Sequence, residues 1–241
     1  MAGSISFPLF DGAAITAIQV TCAIIGVRSH IGCTAVGEVM GLDESDQARL
    51  TRAAQLALAW HADQSRKGSQ IPYVSHLFQV AGLVLEHGGD VDQAIAGFLH
   101  DSLEDADSPE ERTRRDRTIR EEFGAGVLQI VLDCTDTQEN EALGSKAPWK
   151  DRKTRYIEHL ARADSRSLLV AACDKRHNLD ALVGDVRAQG VGYLDRFRAG
   201  AEDQIWYFEG VIEALRNRIP PRLAQELETR SAEFRALVKK E

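Results

Sequence analysis

Proline and aromatic residues are scarce: six prolines and 6% Phe, Trp and Tyr do not supply the turn signals every ~8 to 12 residues of a sandwich or barrel. Long apolar runs are missing as well. The run at residues 13–27 is shorter than the ~20 residues of a membrane span and is interrupted by Thr16, Gln19 and Thr21. No Lys or Arg precedes it, Arg28 being the first basic residue, so the basic start of a secretory signal is absent. The four cysteines, Cys22, Cys33, Cys134 and Cys173, form no C-x-x-C pair, which argues against a zinc ribbon or a disulfide framework and points to reduced thiols in a cytoplasmic protein. Positive charge is in deficit: a net charge of −8 disfavours non-specific binding to nucleic acid or an anionic membrane. No Walker loop, G-x-G-x-x-G fingerprint or internal repeat is found. A small-molecule partner is therefore expected, with oligomerisation left open.

What is present reads as helix. A 44% hydrophobic share over 241 residues fills one core without staples. Apolar spacing predicts a first helix over residues 44–66, with Leu50, Ala53, Ala54, Ala57, Leu58 and His61 at steps of three and four. A second covers residues 75–86 and stops at His87-Gly88-Gly89. A third starts at Asp90 and carries Val91, Ile95, Leu99 and Leu103 on one stripe. Ser108-Pro109-Glu110-Glu111 is a capping-box start, and further helices are predicted over residues 125–135, 148–163, 165–189, 192–217 and 221–239. The clearest loop falls near residues 139–147. The stretch 1–39 lacks caps and period; Met40 offers an alternative start, so that segment is either a native extension or foreign to the mature chain. Residues 40–218 then form the main domain, and 219–241, with Leu223, Leu227, Phe234 and Leu237, an amphipathic terminal helix.

Three places carry chemistry. His100-Asp101-Ser102-Leu103-Glu104-Asp105 closes the apolar third helix with four titratable groups. Residues four apart share a helix face, which stacks His100 with Glu104 and Asp101 with Asp105. Carboxylates crowded beside a core helix are poorly solvated, and a bound cation keeps them ionised; a solvated helix end is the plain alternative. Upstream, Arg66-Lys67-Gly68 and Pro72-Tyr73 lead to His76; downstream, Asp174-Lys175-Arg176-His177-Asn178-Leu179 sits in an apolar helix. Two imidazoles and two carboxylates suit manganese, iron or zinc and leave positions for water and substrate.

The ordered series His76, His100-Asp101, Asp174 resembles the H…HD…D signature of HD-domain metal-dependent phosphohydrolases. More narrowly, R-K-G-x-x-x-P-Y-x-x-H, F-L-H-D-S-L-E-D and D-K-R-H-N-L are similar to the hydrolase domain of RelA/SpoT proteins and the small stand-alone alarmone hydrolases. The resemblance spans about residues 54–215 and takes in Val131 to Asp136, Pro148 to Lys153 and Trp206-Tyr207-Phe208. It implies an all-α HD-domain bundle holding one divalent ion, Mn2+, on His76, His100, Asp101 and Asp174. It further implies removal of the 3′-pyrophosphate from guanosine tetra- or pentaphosphate, with Glu104 and Asp105 as the acid–base pair. Arg66 and Lys67 match the family's basic pair along the nucleotide. Asn178 and Tyr207 match sugar or base contacts, and Lys150, Arg152 and Lys153 are candidates for the distal phosphates.

Two positions depart from the long RelA/SpoT enzymes: Ala171-Ala172 replaces a lysine, and Leu77 rather than proline follows His76. Both bear on the choice of nucleotide, not on the metal. His61 is expected to orient rather than ligate, His87 and His159 to lie at helix ends or on the surface, and the place of His177 is undecided by spacing. An HD enzyme acting on NADPH or a nucleoside monophosphate, and a non-catalytic regulatory HD domain that binds a nucleotide, are the alternatives.

Overall fold

Helix α1, Glu44–Trp60, begins where the Asp43 carboxylate accepts the Asp46 N–H at 2.8 Å, a cap that satisfies one of the free donors of a helix start. The computed structural model describes residues 41–136 and 147–239, so the 1–39 segment and nearly all of the expected loop at 139–147 lie outside the described residues. α1 ends at Trp60 rather than running to residue 66. Beyond it the chain turns back on itself. Arg66 N–H donates to Ile71 O and Tyr73 N–H to Gln64 O, both at 2.8 Å, and an isolated antiparallel bridge joins Ser65 to Pro72. Gly68 at the tip has φ +77°, a left-handed backbone that side-chain-bearing residues avoid, and this tight return is what stops the helix.

α2, Val74–Glu86, buries His76, Leu77, Val80, Ala81 and Val84 on one face. α3, Val91–Leu99, starts in a full capping box between Asp90 and Gln93. Gln93 also donates to Arg166 O at 2.9 Å, tying the start of α3 to the start of α7. α4, Pro109–Phe123, takes its cap from Ser108 with proline at the first helical position. α5 is Ala125–Cys134, α6 Trp149–Leu160 and α7 Ser165–Gln189.

α7 is the central element. Its 25 residues bury Leu168, Val170, Ala172, Cys173, Asp174, Leu179 and Val183 among others, and it packs against α2, α3, α5 and the terminal helix. The expected single helix over 192–217 is two elements: a 3₁₀ helix, Val191–Arg196, and α8, Ala201–Leu215, separated by an extended Phe197 and capped at Gly200. α9, Pro221–Val238, lays Leu223, Leu227 and Phe234 on α7 and α8. Fully burying each such leucine contributes roughly 1.5–3 kcal/mol. Among the described residues there is no named strand and no helix long and apolar enough to cross a membrane. The all-α expectation therefore holds.

Candidate metal centre and cavity

The close crossing of α2 and α3 builds the centre. Gly97 has no side chain, and a Cβ there would stand 3.0 Å from Ala81 Cα, so any larger residue would push the two backbones apart by a few tenths of an ångström. His76, in the first turn of α2, and His100, at the end of α3, thereby bring their Nε2 atoms to 3.3 Å. Asp174 enters from α7 with Oδ1 3.2 Å from His76 Nε2 and 3.7 Å from His100 Nε2. These three groups each offer a ligand atom within 4.8 Å of the others. Asp101 stands at the edge of the trio. Its Oδ2 lies 3.0 Å from His100 and 3.6 Å from His76, and it accepts the Tyr73 hydroxyl at 2.5 Å.

Hydrogen bonds set the tautomers. His100 Nδ1 faces Gly97 O at 2.9 Å, so that nitrogen carries a proton and Nε2 is the atom turned to the cluster. His76 Nδ1 faces His177 Nδ1 at 2.8 Å. Burial, with help from His76 and Arg66, pushes His177 down to about 3. A neutral His177 accepts from His76 Nδ1, which turns His76 Nε2 to the cluster. Burial alone would raise Asp174, but Lys175, His100 and His76 together hold it well below the usual carboxylate range. Asp101, partly exposed at the edge of the trio, is held well below that range by His100 and His76.

The donor set fits a divalent ion. With bonds of about 2.1 Å, neighbouring donors stand about 3.0 Å apart in an octahedron and about 3.4 Å in a tetrahedron; the separations here run from 3.0 to 3.7 Å. Two imidazoles and two carboxylates are also the nitrogen and oxygen donors that suit a dication.

The acidic stretch is not a continuation of α3. The helix ends at Leu99 and residues 100–105 form successive turns, with Ser102 N–H on Leu99 O and Asp105 N–H on Asp101 O. The Asp105-to-Asp101 bond spans four residues, so those two acids stay one turn apart although the helix itself has ended. The carbonyls of these turns are gripped from α4: Arg112 donates to Leu103 O at 2.8 Å and the buried Arg115 to Ser102 O at 2.9 Å. Arginine supplies these partners where an α-helix would have bonded the carbonyls internally. Asp105 Oδ2 accepts from Gln64 at 2.8 Å, and Gln64 Oε1 accepts from His61 Nδ1 at 2.6 Å. His61 therefore reaches the site through Gln64, not as a ligand.

Five carboxylates, Asp101, Glu104, Asp105, Asp136 and Asp174, line a cavity of about 180 Å³, and Lys153, Lys175, Tyr156 and Asn178 are also in its wall. Asn178 donates to Asp174 Oδ1 at 2.6 Å and accepts from Arg66 at 3.0 Å, bringing the basic loop to the centre. Lys153 reaches Asp136 Oδ2 at 2.5 Å; Arg152 also pairs with Asp136 and lies 3.9 Å from Glu104. The other candidates stand back. Lys67 Nζ lies over Phe197 at 4.6 Å, Lys150 pairs with Asp203 over the Trp206 ring, and Tyr207 sits buried beneath Lys153. His87 closes α2, buried against Glu226, and the half-exposed His159 meets Asp133. His30 lies outside the described residues. Sequence reading passed over Tyr73, Gln64, Asp136 and Tyr156. Tyr73 had a signal in the P-Y-x-x-H run and Asp136 in the Val131 to Asp136 segment; Gln64 and Tyr156 had none.

A helical domain with His, His-Asp and Asp from separate helices around one point is the arrangement that the HD motif encodes. The chain belongs to the HD-domain family, whose sequence profile matches residues 53–191. It is 33% identical over 138 residues to the guanosine-3′,5′-bis(diphosphate) 3′-pyrophosphohydrolase MESH1 of Xenopus tropicalis, covering 56% of this chain and 70% of that protein. A GTP pyrophosphokinase of Streptomyces coelicolor is 30% identical over 138 residues, but only 15% of its length is covered. Among solved structures, one described as a metazoan ortholog of SpoT that hydrolyzes ppGpp superposes with a TM-score of 0.61 at 24% identity. That match covers 78% of this chain and 95% of the other, and shows a shared fold.

Proposed function

We propose that this chain is a Mn2+-dependent phosphohydrolase that removes the 3′-pyrophosphate from guanosine tetra- or pentaphosphate. The observation that carries this reading is the buried cluster of His76, His100, Asp101 and Asp174 opening on a cavity walled by both carboxylates and ammonium groups. The names of the relatives support it. A divalent ion on these four residues supplies Lewis acidity, acidifying water and neutralising charge on phosphoryl oxygens.

Glu104 and Asp105 stand beside the cluster to take a proton from the attacking water and return one to the leaving ribose oxygen. Water oxygen bonds to phosphorus, the ester P–O bond breaks, and pyrophosphate leaves with the ribose 3′-hydroxyl restored. Gln64 holds Asp105 in place for this exchange. Lys153 and Lys175 neutralise the phosphoryl oxygens, and Arg66 and Asn178 bind the nucleoside side. The buried, free Cys134 and Cys173 are compatible with a reducing cytoplasm.

A manganese-supplemented hydrolysis screen across guanosine tetraphosphate, NADPH, and nucleoside mono- and triphosphates, with product identification, tests the reading. Guanosine diphosphate and pyrophosphate are the expected products. Cleavage of NADPH or a monophosphate with guanosine tetraphosphate untouched overturns the substrate, and nucleotide binding without any turnover overturns the enzyme.

A further inference from the structure

Arg115, in the second turn of α4, is only 3% exposed. A guanidinium buried against one carboxylate is often no more stabilising than an apolar side chain of similar volume, so packing by itself gives no reason for an arginine here. The proton-transfer scheme above does not use it. Its three nitrogens reach three segments: Nε donates to Glu111 Oε1 at 2.7 Å within α4, Nη1 to Ser102 O at 2.9 Å in the acidic turn, and Nη2 to Trp60 O at 3.4 Å at the end of α1. The guanidinium carbon also stands 5.3 Å from the centre of the Trp60 ring.

Both distant partners lead to Asp105. Along the turn, Ser102 is followed by Leu103, Glu104 and Asp105, whose N–H is held on Asp101 O. From α1, Trp60 is followed by His61, whose Nδ1 donates to Gln64 Oε1 at 2.6 Å, and Gln64 Nε2 in turn donates to Asp105 Oδ2 at 2.8 Å. The backbone of Asp105 is thus held by one segment and its carboxylate by another, and Arg115 bonds to both. Trp60 O is one of the carbonyls that a helix end leaves without an internal partner. A planar fork meets it and Ser102 O at once, while Glu111 fixes the orientation of the fork.

We propose that Arg115 is a positioning residue: by joining the end of α1 to the acidic turn, it sets where the Asp105 carboxylate stands relative to the ligand cluster. The inference rests on the assignment of Asp105 to proton transfer but not on the identity of the nucleotide.

The test is a double-mutant cycle of Arg115→Lys and Asp105→Asn in the manganese-loaded full chain, run on the nucleotide that the wild type turns over fastest. Turnover, KM, metal content and melting temperature are measured for all four proteins. Lysine keeps the charge, but one ammonium does not span three partners. Misplacing a reacting group by about 1 Å costs roughly 10²-fold, so Arg115→Lys should lower kcat by about that factor with KM and manganese content unchanged. In the Asp105→Asn background the same substitution should lower kcat by less than about twofold, because the group it positions is already gone, whereas a change that only loosens the fold lowers kcat equally in both backgrounds. If Arg115→Lys shows no cooperative melting, Glu111→Gln, which keeps the arginine and removes the charge that orients it, takes its place in the cycle with a smaller loss expected. Unchanged kcat in the Arg115 variant, or equal losses in the two backgrounds, overturns the inference alone. A wild type that turns over no nucleotide overturns the enzyme reading, and near-normal kcat in Asp105→Asn overturns the proton path. Both are read from proteins with Arg115 intact, and either takes the inference with it.

Discussion

At the ligand end of the cavity, His76, His100 and Asp174 are 1%, 1% and 5% exposed and come from three helices whose positions are set by core packing. At an outer end beyond the cavity wall, the Lys150 side chain is 50% exposed and paired with Asp203, and Arg66 is reached through a hairpin loop and one bond to Asn178. The first region is assembled by the same contacts that fold the domain. The second is a set of long side chains whose contacts are separable. Changes at the ligand end should therefore act as a unit, and changes at the outer end should act singly and in proportion.

The largest effect separates the regions most sharply. His100→Ala and Asp174→Asn should each abolish turnover and bound manganese together, measured by metal analysis and by the loss of manganese-induced thermal stabilisation. Activity surviving in either variant would break the claim that this end acts as a unit. Next, Glu104→Gln and Asp105→Asn should keep the metal but lose about 10² to 10⁴-fold in turnover each; near-normal rates would remove them from the proton path. At the outer end, Arg66→Ala should cost roughly tenfold in kcat/KM, while Lys150→Ala, already screened by water and Asp203, should cost far less. Equal losses would erase the distinction.

A smaller effect tests how packing reaches the ligands. Gly97→Ala sets a methyl group 3.0 Å from Ala81 Cα and should destabilise the fold by about 1–3 kcal/mol, with manganese affinity falling alongside. Stability falling with manganese affinity intact would show that the α2–α3 crossing does not position the imidazoles. The smallest expected effect is pH-dependent. Burial holds His61 below its ordinary value of 6.5, so on unfolding it takes up a proton once the pH is below 6.5, and the native state loses stability as pH falls from there. His61→Gln should flatten the decline in urea midpoint between pH 7.5 and 5.5; an unchanged slope would mean that His61 is not the group responsible.

Local rules carried the sequence reading where one element decides its own fate. The capped starts at Asp90 and Ser108 and the full extent of the central helix, Ser165–Gln189, were legible because cap chemistry and apolar spacing act within a few residues. The ends of α1 and α3 were not. Periodicity continues through His61 and Leu103, but the chain leaves the helix because partners elsewhere take its hydrogen-bonding groups: Arg112 and Arg115 from α4 at one end, the Ser65–Pro72 return at the other. Such partners are distant in sequence and leave no periodic trace.

By itself the sequence determined the helical class and the order of the elements, because residue type and short-range spacing suffice for both; the expectation that His76, His100, Asp101 and Asp174 belong together came from their resemblance to an ordered family motif. Only the tertiary structure decided that Gly97 lets two backbones close to bring imidazoles together, that His177 sets the tautomer of His76, and that Gln64 holds Asp105. These are relations between side chains up to about a hundred residues apart, such as His76 and His177, and they exist only once burial has removed the water that would otherwise satisfy every one of those groups.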